Sequence, residues 1–95
     1  LKEFKKKLSI EIPVYKMILF GSHATGKPHK DSDVDLIIVS NNFRRKKSYT
    51  RSLGFFKYWD LDMPVDFLCY TPNEFKRLNK KITIVSEAVK KGIRI

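Results

Sequence analysis

Two aspartates one residue apart, Asp33 and Asp35, open an apolar run that continues as Leu36-Ile37-Ile38-Val39. Side chains two apart on a strand share a face, so a strand here presents both carboxylates together and turns Val34 and Leu36 the other way. Two acids held side by side repel unless something cationic sits between them. A hard divalent cation with a phosphate ligand fits that need, since Mg²⁺ is usually held by one or two carboxylates plus substrate oxygens. Just upstream, Leu19-Phe20-Gly21-Ser22-His23-Ala24-Thr25-Gly26 reads as strand end, tight turn and one helical turn. Gly21 permits the sharp turn, and Ser22 begins a helical turn whose leading N–H groups make an anion site. A third acid, Asp66, lies between Val65 and Phe67 in a segment hydrophobic enough to bury it. A buried carboxylate needs a metal or a countercharge to offset its lost hydration. If the strand of Asp66 neighbours that of Asp35, three acids from two strands make a two-metal site. One metal orients a phosphate chain, and the other lowers the pKa of an attacking hydroxyl.

Gly21-Ser22 followed by Asp33-x-Asp35 running into an apolar strand resembles the signature of the nucleotidyltransferase superfamily that includes DNA polymerase beta. The shortness of the chain is similar to the minimal nucleotidyltransferases (the MNT type), often found with HEPN proteins in toxin–antitoxin pairs. The resemblance extends over nearly the whole chain. It implies attack of an acceptor hydroxyl on the α-phosphorus of a nucleoside triphosphate, with Mg-pyrophosphate leaving. By the same resemblance Gly21 and Ser22 hold the β- and γ-phosphates, Asp33 and Asp35 bind two Mg²⁺ ions, and Asp66 completes the second site and serves as general base. Thr25 departs from the pattern, since many relatives carry Arg there; Lys27 or Lys30 could supply the missing charge.

Periodicity supplies the elements that must position these residues. Lys2 to Ser9, with Phe4 and Leu8 at i,i+4, reads as a helix closed by Pro13. Val14 to Phe20 reads as a first strand, Val34 to Val39 as a central strand covered on both faces, and Val65 to Tyr70 as a third. Asn41 and Asn42 offer an N-cap for an amphipathic helix from Phe43 to about Trp59, with Tyr49, Leu53, Phe56 and Trp59 on one side and Gly54 weakening it. Thr71-Pro72-Asn73-Glu74 is a capping box opening a helix to about Asn79. A last helix starts near Ile82, stops at Gly92, and leaves Ile93 to Ile95 as a short edge strand. The expectation is an α/β (α+β) fold: a small mixed β-sheet flanked by helices, in one domain over residues 1–95.

The remaining chemistry-bearing residues point to structure. His23 reads as an exposed helix residue, and His29 as part of a polar loop. Without Cys or His at ligand spacing zinc is not expected. Cys69 reads as core, Asp60-Leu61-Asp62 as a solvated loop, and Phe55, Phe56 and Trp59 as helix core or a partner surface. A net charge of +10 suits an anionic partner: nucleoside triphosphate, RNA or an acidic protein surface. The basic clusters lack the aromatic interleaving of RNA readers, and DNA is not expected. Apolar runs are strand-sized, far below the roughly 20 residues of a membrane span, and no signal peptide opens the chain. The lone cysteine fits a reducing cytoplasm, and a start at Leu1 rather than Met fits a missing or processed N-terminus. Three functions compete: transfer of AMP from ATP onto a hydroxyl of a HEPN-type partner protein, neutralisation of that partner by contact alone, and nucleotide addition to RNA or a small molecule.

Overall fold

The computed structural model describes residues 1–26, 33–47 and 50–95. The polar stretch 27–32 with Lys27, His29 and Lys30 lies outside the described residues, as does Tyr49. The first helix, α1 (Lys2–Glu11), buries Phe4 and Leu8, one turn apart on the same face, and Pro13 follows its end. Strand β1 (Lys16–Phe20) leads through Gly21 into a single helical turn, α2 (Ser22–Thr25). Strands β2 (Val34–Val39) and β3 (Val65–Tyr70) match their predicted bounds. Helices α3 (Pro72–Asn79) and α4 (Ile84–Lys91) precede a two-residue strand, β4 (Ile93–Arg94).

The four strands form one mixed sheet in the order β3-β2-β1-β4. β1 runs antiparallel to both neighbours, whereas β2 and β3 are parallel, in the register Asp35↔Asp66 through Val39↔Tyr70. β2 is the strand covered on both faces: Leu36, Ile37, Ile38 and Val39 are wholly buried. Its even-numbered residues join Met17, Leu19, Phe4, Leu8, Phe43 and Phe55 in one core, under α1 and the segment after β2. Its odd-numbered residues Ile37 and Val39 join Ile18, Phe20, Phe75, Val85 and Ala88 in the other, under α3 and α4. The alternation that makes two cores also carries Asp35 onto the second face.

Three features differ from the sequence reading. The amphipathic helix expected from Phe43 to Trp59 is replaced, among the described residues, by 3-10 turns at Asn41–Phe43 and Phe55–Tyr58. Ser40, not an asparagine, caps the first by accepting from the Asn42 amide. Gly54 interrupts the segment at φ 89°, a left-handed conformation that ends a helix. The apolar spacing was therefore misleading: Leu53 and Phe56 are exposed, while Phe43 and Phe55 fill the core. The last helix begins at Ile84 rather than Ile82, because Thr83 and Ser86 cap one another's amides. Asp66, expected in buried surroundings, is exposed. β3 is an outer strand, and on the face of Asp66 the core under α3 and α4 takes in its later residues, Leu68 and Tyr70.

A residue that the sequence did not single out holds the irregular segment in place. The guanidinium of Arg51, itself buried, donates to the Lys46 and Cys69 carbonyls and forms a two-pronged pair with Glu74, Nη1–Oε1 2.5 Å and Nη2–Oε2 3.2 Å. Glu74 also accepts from the Thr71 amide in the capping box of α3. One ion pair thus ties the segment after β2 to the edge of β3 and to the start of α3.

Candidate active site

The site is built where β1 ends and the parallel strands β2 and β3 begin. Phe20 pairs with Asp35, and Asp35 pairs with Asp66, so the turn at Gly21 and two carboxylates occupy neighbouring lanes of the sheet. Asp33 immediately precedes β2, and its charge acts on Asp35. Asp35 is half-buried, whereas Asp33 and Asp66 are exposed. Burial raises the Asp35 carboxyl above its ordinary range, and the negative charges of Asp66 and then Asp33 push it further the same way. His23, from α2, opposes them. All three predicted acids and the helical turn therefore act on one locus.

Gly21 is fitted against that locus. Its backbone, at φ 78° and ψ −158°, lies in a region that only glycine occupies readily. A Cβ placed there would come within 2.5 Å of Asp35 Oδ2. The absent side chain thus leaves the space in which the Asp35 carboxylate sits. Ser22 and His23 follow, both half-buried. The Ala24 amide returns to the Gly21 carbonyl, and the Gly26 amide to that of Ser22. Gly21 also borders a cavity of about 190 Å³ lined by Phe20, Gly21, Glu87, Ala88 and Lys91. Sequence reading saw Lys90 and Lys91 only as one of several basic clusters. The Glu87–Lys91 spacing is legible as a helix pair, but its place beside Gly21 requires the packing of α4 on β1.

The donors suit a hard cation in part. Asp35 and Asp66 offer carboxylate oxygens side by side in register, and their mutual repulsion is the electrostatic condition that a divalent ion relieves. No three His, Cys, Asp or Glu side chains among the described residues form a ready-made metal cage. Two protein carboxylates would leave most positions on Mg²⁺ to phosphate oxygens and water. Elsewhere, the second Asp-x-Asp is surface: Asp60 and Asp62 are exposed, and Asp60 meets Lys7 at 3.5 Å. Cys69 is buried in the core, and burial pushes its thiol up to about 12, so it stays protonated at neutral pH. Among the described residues no helix is long and apolar enough to cross a membrane.

Comparison with known proteins bears on the fold and the family. The chain superposes on a crystal structure of a Sulfolobus solfataricus protein assigned provisionally as a nucleotidyltransferase, with a TM-score of 0.66 at 20% identity, over 98% of this chain and 73% of that one. That likeness is one of fold. A second crystal structure with the same provisional assignment gives a TM-score of 0.59 at 27% identity, over 99% of this chain and 95% of the other. No match to the sequence was found among curated proteins. The sequence pattern of the family described as "Nucleotidyltransferase domain" matches residues 1–91. Its span takes in α1, the Gly21-Ser22 turn, all three acids and α4: the chain belongs to the nucleotidyltransferase domain family.

Proposed function

We propose that the chain is a Mg²⁺-dependent nucleotidyltransferase that moves AMP from ATP onto a hydroxyl of a partner protein. The observation that carries this reading is the locus itself, with Asp35 lodged against the backbone of Gly21 and set directly across from Asp66. In the reaction the acceptor oxygen attacks the α-phosphorus, the bond from that phosphorus to the bridging oxygen breaks, and pyrophosphate leaves. Asp66, exposed near the start of β3, would take the hydroxyl proton. Asp33 and Asp35 would hold Mg²⁺, with Asp66 sharing a second ion. When bound, the ions supply the positive charge that phosphoryl transfer requires. Gly21 and Ser22 would receive the β- and γ-phosphates.

The hydroxyl would come from another chain. On the family resemblance that chain is a HEPN-type protein, and the pair would act as toxin and antitoxin in the cytoplasm. The test mixes ATP labelled at the α-phosphate with Mg²⁺, the protein and the chain that co-purifies with it, beside Asp35→Asn. Label on the partner, absent with the variant, supports the reading. No transfer, with the complex still formed by the variant, replaces it with neutralisation by contact; label on added RNA replaces the acceptor alone. Thermal melts with Mg²⁺, with and without a non-hydrolysable ATP analogue, report the ion separately. Asp35→Asn should abolish the shift that Mg²⁺ adds.

A further inference from the structure

We propose that Lys91, at the end of α4, is a triphosphate-binding residue held in reserve by Glu87; this rests on the nucleotidyltransferase reading above. Three observations carry it. Lys91 and Glu87 line the cavity beside Gly21, whose backbone is also the wall against which Asp35 is packed. Gly21 thus borders both the Asp35 carboxylate and this cavity, and a phosphate chain received at Gly21 would face the Lys91 side chain. Among the described residues Lys91 is the one cation lining that cavity, and the nearby locus carries three acids. A polyphosphate brought to three carboxylates gains from a fixed positive charge beside the bound ions.

Glu87 gives the lysine its second state. Lys91 Nζ lies 3.3 Å from Glu87 Oε2, one turn earlier on the same helix. Both side chains are largely exposed, at 72% and 56%, so the pair is weak and cheap to break. A phosphate offers Lys91 a more highly charged partner. Glu87 then competes with the ligand for the same ammonium, and the two residues should act on affinity with opposite signs. The remaining walls, Phe20 and Ala88, are apolar and add no competing charge.

The test is equilibrium binding of ATP, ADP and AMP in Mg²⁺ to the intact protein, Lys91→Gln and Glu87→Gln. Both positions are exposed, so both variants should fold, and melting curves confirm it. Lys91→Gln should weaken ATP about tenfold and leave AMP within twofold; Glu87→Gln should tighten ATP two- to threefold. Equal weakening of ATP and AMP by Lys91→Gln would place the lysine at the ribose or base and overturn the proposal. ATP affinity unchanged in both variants would overturn it as well. If the unmodified protein binds no nucleotide at all, the underlying nucleotidyltransferase reading fails instead, and the two failures are distinct.

Discussion

Replacing Gly21 by Ala tests the geometry of the site without touching a charge. Two costs follow from the structure. The backbone at φ 78° and ψ −158° is glycine territory, and holding another residue there costs about 1–3 kcal/mol. The new methyl would stand 2.5 Å from Asp35 Oδ2, about 1 Å inside a normal contact of ~3.5 Å. The carboxylate must then turn away from its rotamer, at roughly 0.5–1.5 kcal/mol. Together these predict a loss of about 2–4 kcal/mol, or roughly 10–25 °C in melting temperature for a chain of this size. Gly26→Ala is the control: its φ is 75°, but nothing lies within 4 Å of the added carbon. It should cost only the left-handed penalty of about 1–2 kcal/mol. Urea unfolding of Gly21→Ala, Asp35→Ala and the double variant isolates the contact. The two changes should couple by about 0.5–1.5 kcal/mol, because Asp35→Ala removes the atom that the methyl strikes. A Gly21→Ala variant as stable as Gly26→Ala and additive with Asp35→Ala would refute the placement of Asp35 against Gly21.

Asp35→Asn should raise the melting temperature at pH 7 even as it removes metal-dependent function. The folded carboxyl titrates above its ordinary 3.8, so its ionisation opposes folding as pH rises past that value. The advantage of Asn should vanish below pH 3.8, and a variant less stable than wild type at pH 7 would contradict the repulsion described. Arg51→Ala should cost about 2–3 kcal/mol in urea, below the usual range for a broken buried pair because Glu74 keeps partial exposure. The Arg51 guanidinium holds the Glu74 carboxyl below its ordinary 4.5, so this contribution is present above that pH and lost as pH falls through the lower folded value. Wild type and Glu74→Gln should therefore converge in stability in strong acid. Cys69, buried and with its thiol raised to about 12, should react with a disulfide reagent at pH 8 only on unfolding.

What the sequence revealed and what it hid divide along physical lines. β3 and α3 were legible to the residue: an apolar run ends at a capping box whose residue types have a local purpose, and local rules suffice. The shared face of Asp35 and Asp66 was legible conditionally, because alternation fixes faces while only the sheet order makes the strands neighbours. The segment after β2 was misread because its aromatics reach the core from turns, where the period of 3.6 does not apply. The exposure of Asp66 was hidden for a related reason. Val65 and Phe67 make the strand look central, but nothing in their identity says which strand is outermost. Arg51 and Lys91 were indistinguishable from the other basic residues until the fold supplied Glu74 and Gly21 as neighbours.

The Arg51 contact with the Cys69 carbonyl has a consequence for behaviour in a crowded cell. β3 is an outer strand, and its odd-numbered residues direct their backbone groups away from β2. Such a row invites a strand from another molecule, the usual beginning of aggregation. Here the guanidinium occupies one of those acceptors, and the segment it anchors fills the flank of the strand. On the opposite side of the sheet the outer strand is two residues long, too short to template much pairing. Loss of Arg51 would therefore do more than lower the melting point. It would open the longer border of the sheet to its own copies, so solubility should fall faster than stability as protein concentration rises.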